Sequence, residues 1–167
     1  MDKRDSALLR CAVEVADPAG AEACACLAQY FAELQRRFDT GFDPAASVSA
    51  NPEELAPPSG WFLIARLDGA AVGCGALKVQ EHGAGELKRM WVAPTLRGMG
   101  IARRLLAALE AQARAAGLAV LRLDTSRHLP EAKALYLRHG YVEIPAYNDN
   151  PYADHWFEKQ LPQSRLS

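Results

Sequence analysis

Residues 91–102 read Trp91-Val92-Ala93-Pro94-Thr95-Leu96-Arg97-Gly98-Met99-Gly100-Ile101-Ala102. The run leaves a strand-like apolar stretch at Pro94, which cannot continue a ladder. It then passes two glycines and enters a helical repeat of Ile101, Leu105, Leu109 and Ala113 that Gly117 can cap. A strand delivered through a tight turn into a helix is an anion site. The first helical amides have no intrahelical acceptor, the helix dipole adds partial positive charge, and Gly98 and Gly100 let phosphate oxygens reach the backbone. A dinucleotide fingerprint G-x-G-x-x-G would need glycine where Arg103 stands, and it belongs to the first unit of a parallel sheet. The G-x-x-x-x-G-K phosphate loop is absent.

Upstream, residues 86–92 form a predicted strand after the turn-like His82-Gly83-Ala84-Gly85. Before it, residues 61–66 and 71–79 read as an antiparallel pair joined at Asp68-Gly69, a dipeptide that favours a hairpin turn. Residues 43–60, with four prolines, read as an irregular connection. Asp17-Pro18 supplies an expected N-cap and first helical position, and Leu27, Phe31, Leu34 and Phe38 make one stripe, expected to be mostly core. Residues 8–14 are a candidate first strand. Downstream, residues 118–125 form a strand, and Pro130 opens a helix that Gly140 ends, with Ala132, Leu135, Tyr136 and His139 on one face. Residues 141–144 and 156–161 are the final strands, separated by AYNDNPYAD. With no repeat or linker, residues 1–167 are expected to form one domain with a mixed α/β sheet flanked by helices.

The composition agrees with a soluble globular chain: 167 residues, 50% hydrophobic, 23% charged and a net charge of −1. That balance, with a pI near 6.4, argues against a nucleic-acid partner. No apolar run is long enough for a bilayer or a secretion signal, so no membrane partner and a cytoplasmic location are expected. Cys11, Cys24, Cys26 and Cys74 contain no C-x-x-C pair and are expected to be buried reduced thiols. The four histidines lack ligand spacing, so no metal is expected.

The pattern Arg97, Gly98, Met99, Gly100, Ile101, Ala102 resembles the pyrophosphate-binding signature of the GNAT acetyltransferase superfamily. The preceding KRMWVAP resembles the family's pantetheine-pairing strand. Downstream, Ala132, Leu135, Tyr136, Gly140 and Tyr141 are similar to its A-x-x-L-Y-x-x-x-G-F/Y segment. The specific resemblance covers residues 86–141, and Leu129 stands where relatives often place asparagine. It implies the acyl-CoA N-acyltransferase fold, with a mostly antiparallel central sheet, and acetyl-CoA as co-substrate. The implied cofactor contacts are Met90, Trp91, Val92, Arg97, Gly98, Met99, Gly100, Ile101 and Ala102. It also implies direct transfer to an amine, with Tyr136 as general acid near the CoA sulfur and an amide near Met90 to Val92 facing the oxyanion.

The base expected from the sequence is Glu86, acting directly or through water. The acceptor pocket of this architecture implies Tyr30, Glu33, Phe42, Asp43, Tyr147 and Asn148 as substrate contacts, with Arg37 available to an acceptor's carboxylate. A small-molecule amine is the expected partner. A free amino acid, a polyamine, an antibiotic amine and a protein lysine all stay open, as do a non-catalytic CoA sensor and, less in keeping with the motifs, a nicotinamide oxidoreductase. Exposed edge strands would permit a homodimer.

Overall fold

Asp68 and Gly69 both take positive φ, 52° and 84°, and join the first hairpin as the sequence predicts. Its arms are β2 (Gly60–Leu67) and β3 (Ala70–Val79), antiparallel from Leu67↔Ala70 onward. The computed structural model describes residue 6, residues 10–47 and residues 51–162. The other strands are β1 (Cys11–Ala16), β4 (Ala84–Val92), β5 (Val120–Thr125), β6 (Val142–Ile144) and β7 (His155–Gln160). They form one mixed sheet in the order β1-β2-β3-β4-β5-β7-β6, in which β4–β5 is the parallel pair among the described residues. The first strand starts later than its expected span, of which Leu8 and Leu9 lie outside the described residues.

Among the described residues, the two faces are covered by α1 (Ala21–Arg37), α2 (Ile101–Ala115) and α3 (Pro130–Arg138). α1 begins later than Asp17-Pro18 suggests, with Gly20 at its N-cap. Asp17 spends its carboxylate on a turn of its own, accepting from the Ala19 amide at 2.9 Å, as short acidic side chains readily do. β2 explains the two-sided core. Leu63 and Ala65 pack in one cluster with Leu105 and Leu109 of α2, while Phe62 and Ile64 pack in the other with Ala23 and Cys26 of α1. A strand buried on both faces reads as an unbroken apolar run, which is what FLIA is. Cys11, Cys26 and Cys74 are buried as expected, but Cys24 is exposed on the outer side of α1.

Glu110 of α2 is a buried charge held by three donor contacts. Its carboxylate accepts from the Tyr141 hydroxyl at 2.8 Å and from Lys159 Nζ at 3.1 Å on both oxygens. Glu110→Ala is expected to lower the unfolding free energy by about 2 kcal/mol, since both donors then lose their charged acceptor. Chemical denaturation measures it, and an unchanged midpoint would contradict the account.

Candidate active site

The site begins where two strands part. β4 and β5 are in register only over Ala84↔Val120, Gly85↔Leu121 and Glu86↔Arg122. Beyond Glu86, β4 stays with β3 while β5 follows β7, and a wedge opens between them. A bulge lies on the β4 side of the wedge. Cys74 faces Trp91 and Ala76 faces Lys88, so Arg89 and Met90 share the space opposite Gly75. Arg89 takes φ +59°, uncommon for a residue with a Cβ, and Cys74 Sγ donates to its carbonyl at 3.3 Å. A Cβ at Gly75 would stand 2.6 Å from Met90 Sδ and 2.8 Å from Leu109 Cδ1, so both side-chain ends would have to shift to admit one.

Two cavities meet at this wedge. The larger, about 830 Å³, runs from Met90, Trp91 and Val92 along residues 96–103. The smaller, about 100 Å³, is walled by aromatic rings of α1 and the loops beside it, including Phe31, Phe38, Phe42 and Tyr152, together with Arg89 and Asp124. Both contain Tyr30, Leu34, Met90, Leu129, Ala132 and Tyr136 in their walls. The stripe on α1 is therefore more than core, since Phe31, Leu34 and Phe38 line the smaller cavity.

The floor of the larger cleft suits an elongated diphosphate ligand. The amides of residues 98–103 have no protein acceptor among the described residues. Gly98 (φ +80°) leaves open space where a Cβ would be, and Gly100 (φ +88°) is an N-cap without a side chain. Arg103 and Arg138 line the same cleft. All nine cofactor contacts implied by the sequence fall in its lining: Met90, Trp91, Val92, Arg97, Gly98, Met99, Gly100, Ile101 and Ala102. Arg97 is also a strut: its Nε donates to the Val92 carbonyl at 3.1 Å and its Nη2 to Glu33. Burial opposes charge on Glu33, but hydrogen bonds from Arg97 and Arg37 outweigh it and hold the carboxyl below its usual range. Arg37 completes a chain to Glu131.

The acceptor-side residues divide. Tyr30 and Phe42 line the smaller cavity. Glu33 does not; it lines the larger cleft in its pairing with Arg97 and Arg37, which also engages Arg37. Asp43 lies outside the lining, its carboxylate accepting from the Ala45 amide at 3.0 Å. Tyr147 and Asn148 stand behind it: Tyr147 donates to Glu86 at 2.7 Å and Asn148 to Asp124 at 2.8 Å. Glu86 lines neither cavity, being 2% exposed and enclosed by Tyr147 on one oxygen and Lys88, at 3.1 Å, on the other.

The carboxylate that does reach the smaller cavity is Asp124, near the end of β5. Burial pushes its pKa up, opposed by donors from Asn148 and from Asn150 at 3.0 Å. Sequence reading missed it, and the signal available was one acid set among Leu121, Leu123 and Thr125 in a predicted strand. Tyr136 stands in the shared wall, 5% exposed. Its hydroxyl has no protein hydrogen bond among the described residues, and burial pushes its pKa above the ordinary phenol value.

A sequence model of the Acetyltransferase (GNAT) family matches residues 27–141. The chain is 41% identical over 116 residues to an IAA acetyltransferase of Azospirillum brasilense, covering 69% of this chain and 76% of the relative. It is 35% identical over 94 residues to an aminoalkylphosphonate N-acetyltransferase of Salmonella typhimurium, covering 53% of this chain and 61% of the relative. A solved structure described as an acyl-CoA N-acyltransferase from Klebsiella pneumoniae superposes with a TM-score of 0.74 at 35% identity, covering 90% of this chain and 97% of that one.

Proposed function

The chain belongs to the acetyltransferase (GNAT) family, and from that premise we propose that, acting as one domain, it transfers acetyl from acetyl-CoA directly to the primary amine of a small molecule. Dependence on acetyl-CoA for N-acetyl transfer comes with membership of the family. The finer reading rests on one observation: the long cleft and the small aromatic cavity share the wall holding Tyr136 and Met90. A thioester in the first and an amine in the second would meet there. The size of the cavity and the relatives' names, IAA acetyltransferase and aminoalkylphosphonate N-acetyltransferase, favour a small acceptor over a protein lysine.

The co-substrate supplies an activated thioester carbonyl, and the residues around it supply position and protons. Amides of residues 98–103 and Arg103 hold the diphosphate. An alkyl amine with a pKa of about 10 arrives protonated and must lose a proton to attack. Asp124 takes that proton; Glu86, the base expected from the sequence, supports the site from behind through Lys88. The new N–C bond forms as the C–S bond breaks. An amide at Met90 to Val92 donates to the carbonyl oxygen as it gains charge, and Tyr136 gives its proton to the departing thiolate.

Release of CoA thiol on mixing acetyl-CoA with a panel of small amines tests the reading; no release with any amine, from folded protein that binds CoA, would leave the sensor alternative. The anion floor has its own test. Gly100→Ala places a Cβ at φ +88° beside the free amides. CoA affinity is expected to fall about tenfold by calorimetry, the scale of losing one charged hydrogen bond. An unchanged dissociation constant would remove the turn from the binding site.

A further inference from the structure

Among the described residues, one cation of the smaller cavity has no counter-charge. Of the two cations that line it, Lys88 is paired with Glu86. Arg89 lines the smaller cavity and, among the described residues, its guanidinium has neither a carboxylate partner nor a hydrogen bond. Its guanidinium lies 5.5 Å from the centre of the Phe31 ring, a contact that steers the group without neutralising it. Burial disfavours its charge, and a half-buried cation left unpaired is costly. The backbone adds to that cost, because Arg89 takes its positive φ at the bulge. Strain and an unpaired charge at one residue in a cavity wall are the features of a ligand contact.

Asp124 supplies the complementary half. It lies on β5, Arg89 on β4, and both line the same cavity. Tyr30, in the wall common to both cavities, experiences the charges of both. Phe31, Phe38, Phe42 and Tyr152 fill the remaining walls with apolar surface. We infer that the acceptor is an amino acid with an apolar side chain, its amine directed to Asp124 beside Tyr136 and its carboxylate gripped by the planar fork of Arg89. This rests on the acetyl-transfer reading and narrows it.

The test compares full-length wild type, R89Q and R89K with three acceptors: L-phenylalanine, L-phenylalaninamide and 2-phenylethylamine, together with the leucine counterparts. CoA thiol release is followed, and calorimetry measures binding of each acceptor to CoA-saturated protein. Wild type is expected to favour the acids at least tenfold in kcat/KM. R89Q is expected to lose at least tenfold on the acids through KM, with the amides unchanged and partial recovery in R89K. The Arg89 guanidinium makes no protein hydrogen bond among the described residues, so all three proteins should melt alike. Amides and decarboxylated amines used or bound as well as the acids would overturn the inference while leaving acetyl transfer intact, as would an undiminished preference in R89Q. Arg89-dependent carboxylate binding without transfer to any amine would keep the anion site and overturn the acetyl-transfer reading instead.

Discussion

Tyr136→Phe is expected to lower kcat by about a thousandfold, within the range that a positioned acid contributes, while CoA binds as tightly as before. The substitution deletes one oxygen and little else. The ring is held by Tyr141 at 5.6 Å and Phe157 at 6.5 Å between centroids, contacts that phenylalanine keeps. The hydroxyl has no protein partner among the described residues, so folding loses no hydrogen bond. An acid works only while protonated. Burial raises the pKa of Tyr136, so its alkaline loss of activity falls above the ordinary phenol range and the group stays loaded at neutral pH. Single-turnover kinetics separates this from slow product release, and wild-type turnover in the variant would remove Tyr136 from the chemistry.

The features legible in the sequence are those decided locally. The Asp68-Gly69 turn and the glycine junction at 97–102 depend on backbone preferences within a few residues, and both fall where the pattern puts them. The helix carrying Tyr136 is fixed by Pro130 and Gly140 in the same way. What escaped depends on long-range geometry. Helical spacing identifies the apolar face of α1 but cannot tell a core wall from a cavity wall, so Phe31 and Phe38 look like packing. Glu33 looks like an acceptor contact until Arg97, sixty-four positions away, closes on it. Arg89 reads as an ordinary strand residue because a bulge cannot be seen in KRMWV. Glu86 lies outside both cavities while Asp124 borders one because the wedge opens only past Glu86, and which carboxylate borders it depends on where β5 leaves β4.

Asp124→Asn is expected to reduce kcat/KM by a few hundredfold near neutral pH, and the pH dependence of that loss separates chemistry from architecture. The carboxylate accepts from Asn148 on one oxygen and Asn150 on the other, so the amide necessarily forfeits one of these bonds and the loop loosens. Asn150→Ala forfeits one too but retains the charge, and it should stay within a few fold of wild type. In the wild type the base must be ionised. Burial raises the Asp124 pKa, so activity falls with decreasing pH at values above the ordinary carboxylate range. In the variant the amine must lose its proton to solvent, and the free-base fraction of an amine with a pKa of about 10 grows tenfold per pH unit below that value. The defect should therefore shrink steadily from pH 7 to pH 9. A defect constant across that range would mean that Asp124 only holds the loop in place, and the proton would have to leave by another route.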